Sequence, residues 1–576
     1  MMDQVSIAGV SLTGCCFAVM LALVGCQATE HRVKGSDTSS DSDTDGDGDT
    51  DSDTVGDGDS DTEGSDPCED GELLCIDGDA YLCDDGEWIL EDDCDESIAE
   101  SCFGGECYGP CEWAEGAESY IGCEYYAVCL PGAHDEYAVV LSNLNEIPAE
   151  VVIERNDAEF GDPPSISTAA TVTVPPGSLE TVFLPWSYPP AESGPGNTTK
   201  SFLGTTPYHV TSSIPIVVYQ FAPYDNASSN DASILLPVHA LGQEYVVMAW
   251  PQTQGGPSYT SVVATEDDTV VELLPTTDIS ESDSIGPGYV APSEPGVERT
   301  FTLNTGDILV VSNENVVDDE WARGEDYTGT SVSASAPVAV FAGGSVVDVP
   351  HYTDPEDFFC CADHIEQQIF PEKTLGKEFV AARTPVRSFN GFVEPEYWRV
   401  LATVDGTTVN TTLDPPDDQV VLNRGEHVEF GTEGDFLVSA DEPVLLGQFV
   451  SSGETTNVPI MGENGDPAFI LVPPFEQFRD SYLTLTPDTY LYDFLIITVP
   501  DDGTSFTIDG LSPAVHDCES SELADAWNIV RCLVEDGVHE VQATGPVGLV
   551  VYGYQRHTSY GYSGGLDLEA INPDVE

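Results

Sequence analysis

Four stretches of the chain repeat one pattern. A segment of small and polar residues runs into a proline and continues as a mostly apolar run. They are VTSSIPIVVYQF (210–221), VSASAPVAVFAG (332–343), VSADEPVLLGQF (438–449) and VQATGPVGLVVY (541–552). The prolines, Pro215, Pro337, Pro443 and Pro546, are spaced by 122, 106 and 103 residues. Each repeat offers five to seven short runs rich in Val, Thr, Ile, Phe and Tyr, which predict strands.

Other patterns recur in the same order. SVVATEDDTVVEL (261–273), WRVLATVDGTTVNT (398–411) and FLIITVPDDGTSFTI (494–508) predict strand, Asp-rich turn, strand, with hairpin tips. FTLNTGDILVV (301–311) matches VVLNRGEHVEF (420–430). ILLPVHALGQEYVVMA (234–249), QIFPEKTLGKEFVAA (368–382) and ILVPPFEQFRDSYLTLT (470–486) align through Pro237, Pro371 and Pro473.

The period is too long for a solenoid repeat or a propeller blade and fits a small β domain. No long amphipathic helix interrupts it. The expectation is an all-β chain of tandem β-sandwich-like units packed in series, preceded by a small disulfide-rich module. The repeats are out of phase with the ends, so the terminal strands are expected to complete each other's sheets.

Composition sharpens the picture. The chain has 576 residues, with 104 acidic against 15 Lys and Arg, a formal net charge of −89. Such a surface repels nucleic acid and anionic lipid heads and favours basic or divalent partners. Residues 5–25 form an apolar run ending in LVGC, which resembles a bacterial lipobox with Cys26 as the lipidated residue. A second such string ends at Cys15, and MMDQ lacks the usual positive charge. The alternative is an uncleaved membrane anchor.

Residues 36–67 are Asp-, Ser-, Thr- and Gly-rich with a single valine, the composition of an extended spacer. Its DTDGDGDTD string suits loosely associated calcium and lacks the EF-hand pattern. The resulting division is 1–25 signal peptide, 26–67 lipidated stalk, 68–129 cysteine-rich module, 130–565 β-repeat region and 566–576 tail.

The cysteine-rich module holds Cys68, Cys75, Cys83, Cys94, Cys102, Cys107, Cys111, Cys123 and Cys129. In an exported chain these are disulfide candidates. The count is odd, so one pairs outside the block or stays a thiol. Cys360 and Cys361 are the candidate partners, and Cys518 and Cys532 are expected to join each other.

Candidate chemistry is sparse. His239, in LPVHALG, aligns with Lys373 and lies near the slot of Phe475, which speaks for strand structure over catalysis. Gly242 is expected to serve a turn before its strand. His351, Asp354, Asp363 and His364 are the best polar cluster, but their spacing lacks the paired histidines of a zinc helix. A disulfide-pinned loop is the alternative. GYQRHTSYGYSGG (553–565) is either an exposed tyrosine surface or a last strand with its closing loop. No nucleophile elbow, zinc helix or phosphate loop occurs.

SNDASILLPVHALGQEYVV, SVVATEDDTVVELLP, LNTGDILVVSN, SASAPVAVFAGG, CCADHIEQQIFP, the closing YGYSGG and the opening GCEYYAV together resemble the IgGFc-binding protein N-terminal domain family. The resemblance runs from Cys123 to Gly565. It implies a secreted or surface-attached β-rich binding module, as in bacterial surface lipoproteins, and carries over no residues for Fc recognition.

The expected function is therefore a surface-tethered binding or adhesion protein without catalytic turnover or cofactor, lipid-anchored in the cell envelope, at the outer membrane. Its partner would be an unknown protein or glycan. A glycan hydrolase and a structural envelope protein are the alternatives.

Overall fold

The computed structural model describes residues 73–572 apart from short internal segments, the longest being 188–199, 315–324 and 352–361. The leader, Cys26, the stalk, Cys68, Asp354, Cys360 and Cys361 lie outside the described residues. Among the described residues, no helix is long and apolar enough to cross a membrane.

The fold is mostly β-strand, built from four repeated units: the first, second and fourth are sheets of seven, eight and seven strands, and the third is a pair of four-stranded sheets. Each unit is organised by one long strand. These are Tyr208–Phe221, Ser331–Val347, the pair Phe436–Ala440 and Val444–Phe449, and Gly537–Gln555. The two halves of the long strand pair with different neighbours. In the second unit, Ser331–Ala334 pair with Leu274–Val271, whereas Val338–Gly344 pair with Ala264–Ser258.

The four repeated prolines sit at this bend. Pro215 lies in the register break between Thr211 and Ile216, and Pro443 in the gap that splits the third unit's strand in two. Proline has no N–H for the ladder and is tolerated where pairing changes sheets. The alternation before each proline belongs to a half-exposed sheet, and the apolar run after it to a sheet covered on both faces.

The Asp-rich turns are turns but not hairpin tips. Ser258–Ala264 and Thr269–Leu274 pair with different halves of the long strand and do not pair with each other. The same holds for Glu396–Ala402 and Thr407–Thr411, and for Tyr492–Pro500 and Phe506–Ile508. The turn chemistry is as expected: Asp268, Gly406 and Gly503 all have positive φ. Local sequence cannot tell a hairpin from an arch between sheets, because both need the same tight turn.

A lead strand opens each unit: Gly122–Ala127, Gly242–Val246, Glu378–Ala381 and Arg479–Thr486. The last three follow a 3₁₀ turn, at Val238–Ala240, Glu372–Thr374 and Phe475–Gln477, preceded by Pro237, Pro371 and Pro474. Pro474, not Pro473, is thus the structural counterpart, and Glu476, not Phe475, occupies the slot of His239 and Lys373. The doubled proline hides the one-residue shift.

Gly242 has a packing role. A Cβ built on it would lie 2.6 Å from Cβ of Pro371, and one on Gly122 would lie 2.5 Å from Cβ of Pro237. The first two lead strands therefore receive the proline that begins the next unit, and Gly376, just ahead of the third, receives Pro474 in the same way.

The collar is a three-stranded sheet, Leu73–Ile76, Asp79–Asp84 and Glu87–Asp92, a short hairpin and a helix at Pro110–Gly116. Cys75–Cys102, Cys94–Cys107 and Cys111–Cys123 bridge it, and Cys83 is also disulfide-bonded. Cys123 lies on the first unit's lead strand, so the third bridge ties collar to ring. Cys129 is buried in the main core, where Ser187 donates to its Sγ. Cys518 and Cys532 join across adjacent strands.

The units are consecutive in sequence and closed in space. An axial strand ends each one: Ala232–Ile234, Asp363–Gln368, Phe469–Val472 and Thr558–Ser563. The four meet around one line. The chain ends do not share a sheet as expected; they meet in a single bridge, Ser119 to Asp567. Strand sharing occurs elsewhere: Phe202–Gly204, ahead of the first long strand, pairs with Ile308–Val310 of the second unit. Substituting Gly242→Val should lower unfolding stability by about 2 kcal/mol through overpacking against Pro371. Gly434→Ala, at a position open to solvent, should leave it unchanged; denaturant titration of both checks this.

Candidate functional site: the loop face over a buried polar axis

Asp231 begins the first axial strand and is buried. Its Oδ1 accepts from the N–H of Ala232 at 2.9 Å and of Gly561 at 3.3 Å. Its Oδ2 accepts from Glu366 and Phe469, both at 3.1 Å. One carboxyl group thus bonds backbone from all four units. Gln367 answers it with donors: Nε2 points at the carbonyls of Ala232 (2.8 Å), Phe469 (2.7 Å) and Gly561 (3.1 Å). Burial pushes the Asp231 carboxyl well above the ordinary range, and the N–H donors oppose that shift.

The seams between units hold the scarce cations. Arg399 of the third unit lies 4.4 Å over the ring of Trp250 in the second, 2.9 Å from Asp326 and 2.8 Å from Glu429. Burial opposes ionisation of Asp326, but Arg399 and the Thr328 donors outweigh it and hold the carboxyl below its ordinary range. Arg531 of the fourth unit pairs with Asp435 of the third, and Arg424 makes a fork with Glu372.

At one end of the axis the loops leading into the axial strands converge, together with those leaving the lead strands. They touch across units. Ser452 N–H donates to Val349 O at 2.8 Å, Gly465 N–H to Gln555 O at 2.9 Å and Thr489 Oγ1 to Tyr224 O at 3.4 Å. The acidic turns of the arches lie at the other end. A rigid scaffold with loops gathered at one end is the usual place for binding residues.

The most sharply built part of this face is the loop 382–395. Arg387 is buried and anchors it: Nη1 donates to Asn464 O at 3.0 Å and Nη2 to Ser451 O at 2.7 Å. Glu394 accepts from the N–H of Arg387 and Ser388. Burial works against its charge, yet Arg387 and these donors hold it below the carboxylate range. At the tip, Asn390 and Gly391 have φ of 59° and 76°, a left-handed pair suited to a type I′ turn. Asn457 grips Phe389 through both its N–H and its carbonyl. Phe389 and Phe392 flank the turn at 47% and 45% exposure, with Met461 of the neighbouring loop at 73%.

The residues singled out from sequence fall elsewhere. His364 is buried beside Glu366 and stacked on Tyr259, its pKa pushed down to about 3 by burial. Asp363 faces the axis, and His351 faces Arg399 and Asp326. These side chains do not gather, and no group of metal ligands occurs among the described residues. His239 is half-buried in its 3₁₀ turn. Tyr560 and Tyr562 are fully buried, so the 553–565 stretch is the last strand and not an exposed surface.

One relay-like constellation escaped the sequence. Thr486 Oγ1 lies 3.2 Å from Nε2 of His539, whose Nδ1 is 2.9 Å from Asp509 Oδ2. It adjoins a groove of about 400 Å³ between the first and fourth units. But Nε2 is closer still, 2.7 Å, to the carbonyl of Glu535. A carbonyl can only accept, so the Nε2 that faces it carries the hydrogen of that bond and offers no lone pair to the Thr486 proton.

A family model described as IgGFc binding protein matches residues 231–553, more than half of the chain. The chain belongs to this family. The match begins at Asp231, the residue that gathers the four units, and ends inside the fourth long strand. The family's shared part is therefore the second and third units and most of the fourth. No curated protein matches the chain. An all-β repeat fold agrees with a binding role in this family.

Asp231→Asn would put an NH₂ group among N–H donors. We expect a loss of about 3 kcal/mol or more in unfolding free energy. Chemical denaturation checks this, with the surface variant Asp502→Asn as control.

Proposed function

We propose that this chain is a non-catalytic binding protein displayed at the cell surface, and that it engages its partner through the loop face at the mouth of the axis. The observation that carries this is the 389–392 turn. Two half-exposed phenylalanines stand on a tip whose base is a buried arginine bonded to two backbone carbonyls. Rigid aromatic anchors beside apolar neighbours are the usual centre of a binding contact, since little side-chain entropy remains to be lost.

Display rests on sequence alone: the apolar leader, lipidation at Cys26 and an acidic stalk that holds the ring away from a membrane. Loosely associated calcium would collect on the stalk. The family description names the Fc part of IgG. For this chain Fc is one probe among others, and a mucin glycoprotein is the second.

The test uses the full chain in detergent, with immobilised Fc and immobilised mucin. The double variant Phe389→Ser, Phe392→Ser should lose at least about tenfold in affinity for whichever probe the wild type binds, the loss of two anchors. Its unfolding midpoint should not change. Unchanged affinity would move the contact off this face, and release of sugar from the mucin would overturn the non-catalytic reading. Separately, Cys26→Ala should abolish incorporation of labelled palmitate.

A further inference from the structure

One strand holds the same place at the margin of every unit. It is Ser178–Leu184 on Tyr137–Asn143, Ile308–Ser312 on Ser258–Ala264, His427–Thr432 on Glu396–Ala402 and Trp527–Val534 on Tyr492–Pro500. The units treat the outer edge of this strand differently. In the second, Phe202–Gly204 arrives from ahead of the first long strand and pairs with it. In the fourth, Asp517–Leu523 pairs with it and is pinned there by the Cys518–Cys532 bridge. Among the described residues, no strand pairs with the outer edge in the first unit or the third.

The two open edges are not alike. A row of unpaired N–H and C=O groups recruits further strands unless charged side chains guard it. His427–Thr432 carries His427 and Glu429, with Glu426 just before it. Ser178–Leu184 carries only Glu180. Its alternate residues Leu179, Thr181 and Phe183 share one strand face, and that face lines the groove of about 400 Å³ between the first and fourth units. Phe183 is 55% exposed and meets the ring of Tyr224 edge-on at 5.4 Å. The fourth unit supplies Leu485, Pro487 and the carboxyl groups of Asp488 and Asp536. The Tyr224 hydroxyl donates to Asp488 Oδ1 at 3.3 Å, which ties the two walls together.

We propose that this edge is a docking slot for a partner protein, which adds an extended segment beside Ser178–Leu184 as one more strand. The segment sets an apolar side chain against Phe183, Tyr224 and Leu485, and a Lys or Arg next on the same face beside Asp488 and Asp536. Backbone hydrogen bonds give the affinity and alternate side chains the selection, as in other strand additions to an exposed edge. The chain performs this operation on itself in the second unit, where Phe202 lies opposite Val310 and Leu203 opposite Leu309. Charge decides the class of occupant. Among the described residues no Lys or Arg lines the groove. With a net charge of −89, a basic segment is attracted and a second copy of the chain is repelled. The slot is separate from the 389–392 turn and does not depend on what binds there.

The edge is seven residues long, which sets the length of the occupant. Strand pairing turns alternate backbone N–H groups of that segment toward the edge and the rest toward solvent. Methylating the edge-facing nitrogens therefore abolishes docking and leaves every side chain in place. Simple capture of an apolar side chain in the groove would survive the same change.

The experiment titrates the full chain in detergent against a labelled peptide with blocked ends, about the length of the edge strand, that alternates threonine with valine, phenylalanine and lysine. Its counterparts carry glutamate in place of lysine, or N-methyl groups on alternate residues in each of the two possible phases. Fluorescence anisotropy should show the parent peptide binding with a Kd below about 1 mM. The glutamate peptide and one of the two N-methylated peptides should bind at least about tenfold more weakly. Phe183→Lys, a charge at an exposed position of the edge, should lose at least about tenfold, and Asp536→Asn at least about threefold. Both should keep the wild-type unfolding midpoint, and the Phe389→Ser, Phe392→Ser double variant should bind the peptide as wild type does. No binding by about 1 mM, equal binding of both N-methylated peptides, full binding by Phe183→Lys and Asp536→Asn, or loss of binding in the double variant would overturn the slot. Dimers in sedimentation that Phe183→Lys dissolves would overturn the basic occupant in favour of a second copy of the chain.

Discussion

The architecture depends on one carboxyl group. Asp231 accepts backbone N–H groups from every unit, and Gln367 offers its amide to three of the carbonyls alongside. Four axial strands that meet edge-on would otherwise bury backbone groups with no partner, which a fold cannot tolerate at its centre. A side chain with two oxygens, and another with one amide group, satisfy groups that no sheet ladder can reach.

Around that centre the repeat solves packing in a recurrent way. A proline follows each of the first three axial strands and fits a glycine at the start of the same unit. In the fourth unit Arg479 takes the glycine's place and pairs with Asp567 of the tail, over the ring of Tyr120. The few arginines are spent on seams. In a chain of such negative charge, a buried Arg399 or Arg531 offsets repulsion between units where solvent screening is weakest. The outer surface is left acidic, which suits solubility.

This arrangement separates stability from recognition. The cores, seams and axis belong to one compact unit, while the loops at its mouth differ between units. The fourth unit has only Arg556 and His557 between its last two strands, and the third has a long, folded loop held by Arg387 and Asn457. Variation in the loops costs the fold little, because their anchors are backbone carbonyls and buried ion pairs.

Much of the fold was legible in the chain. The four prolines, the β-rich apolar runs and the Asp-rich turns are local consequences of strand burial and backbone conformation, so the sequence by itself determined the repeat and the strand class, while the bend at the prolines came from the structure. It also exposed His239 as a variable slot, though the doubled proline at 473–474 hid the true register. What the tertiary structure alone decided was pairing and closure. An arch and a hairpin share a turn, a buried tyrosine strand and a sticky surface share a composition, and nothing local distinguishes Asp231 among 104 acidic residues. Its role, like that of Arg387 beneath the phenylalanine turn, comes from groups hundreds or tens of residues away that meet only when the ring is complete.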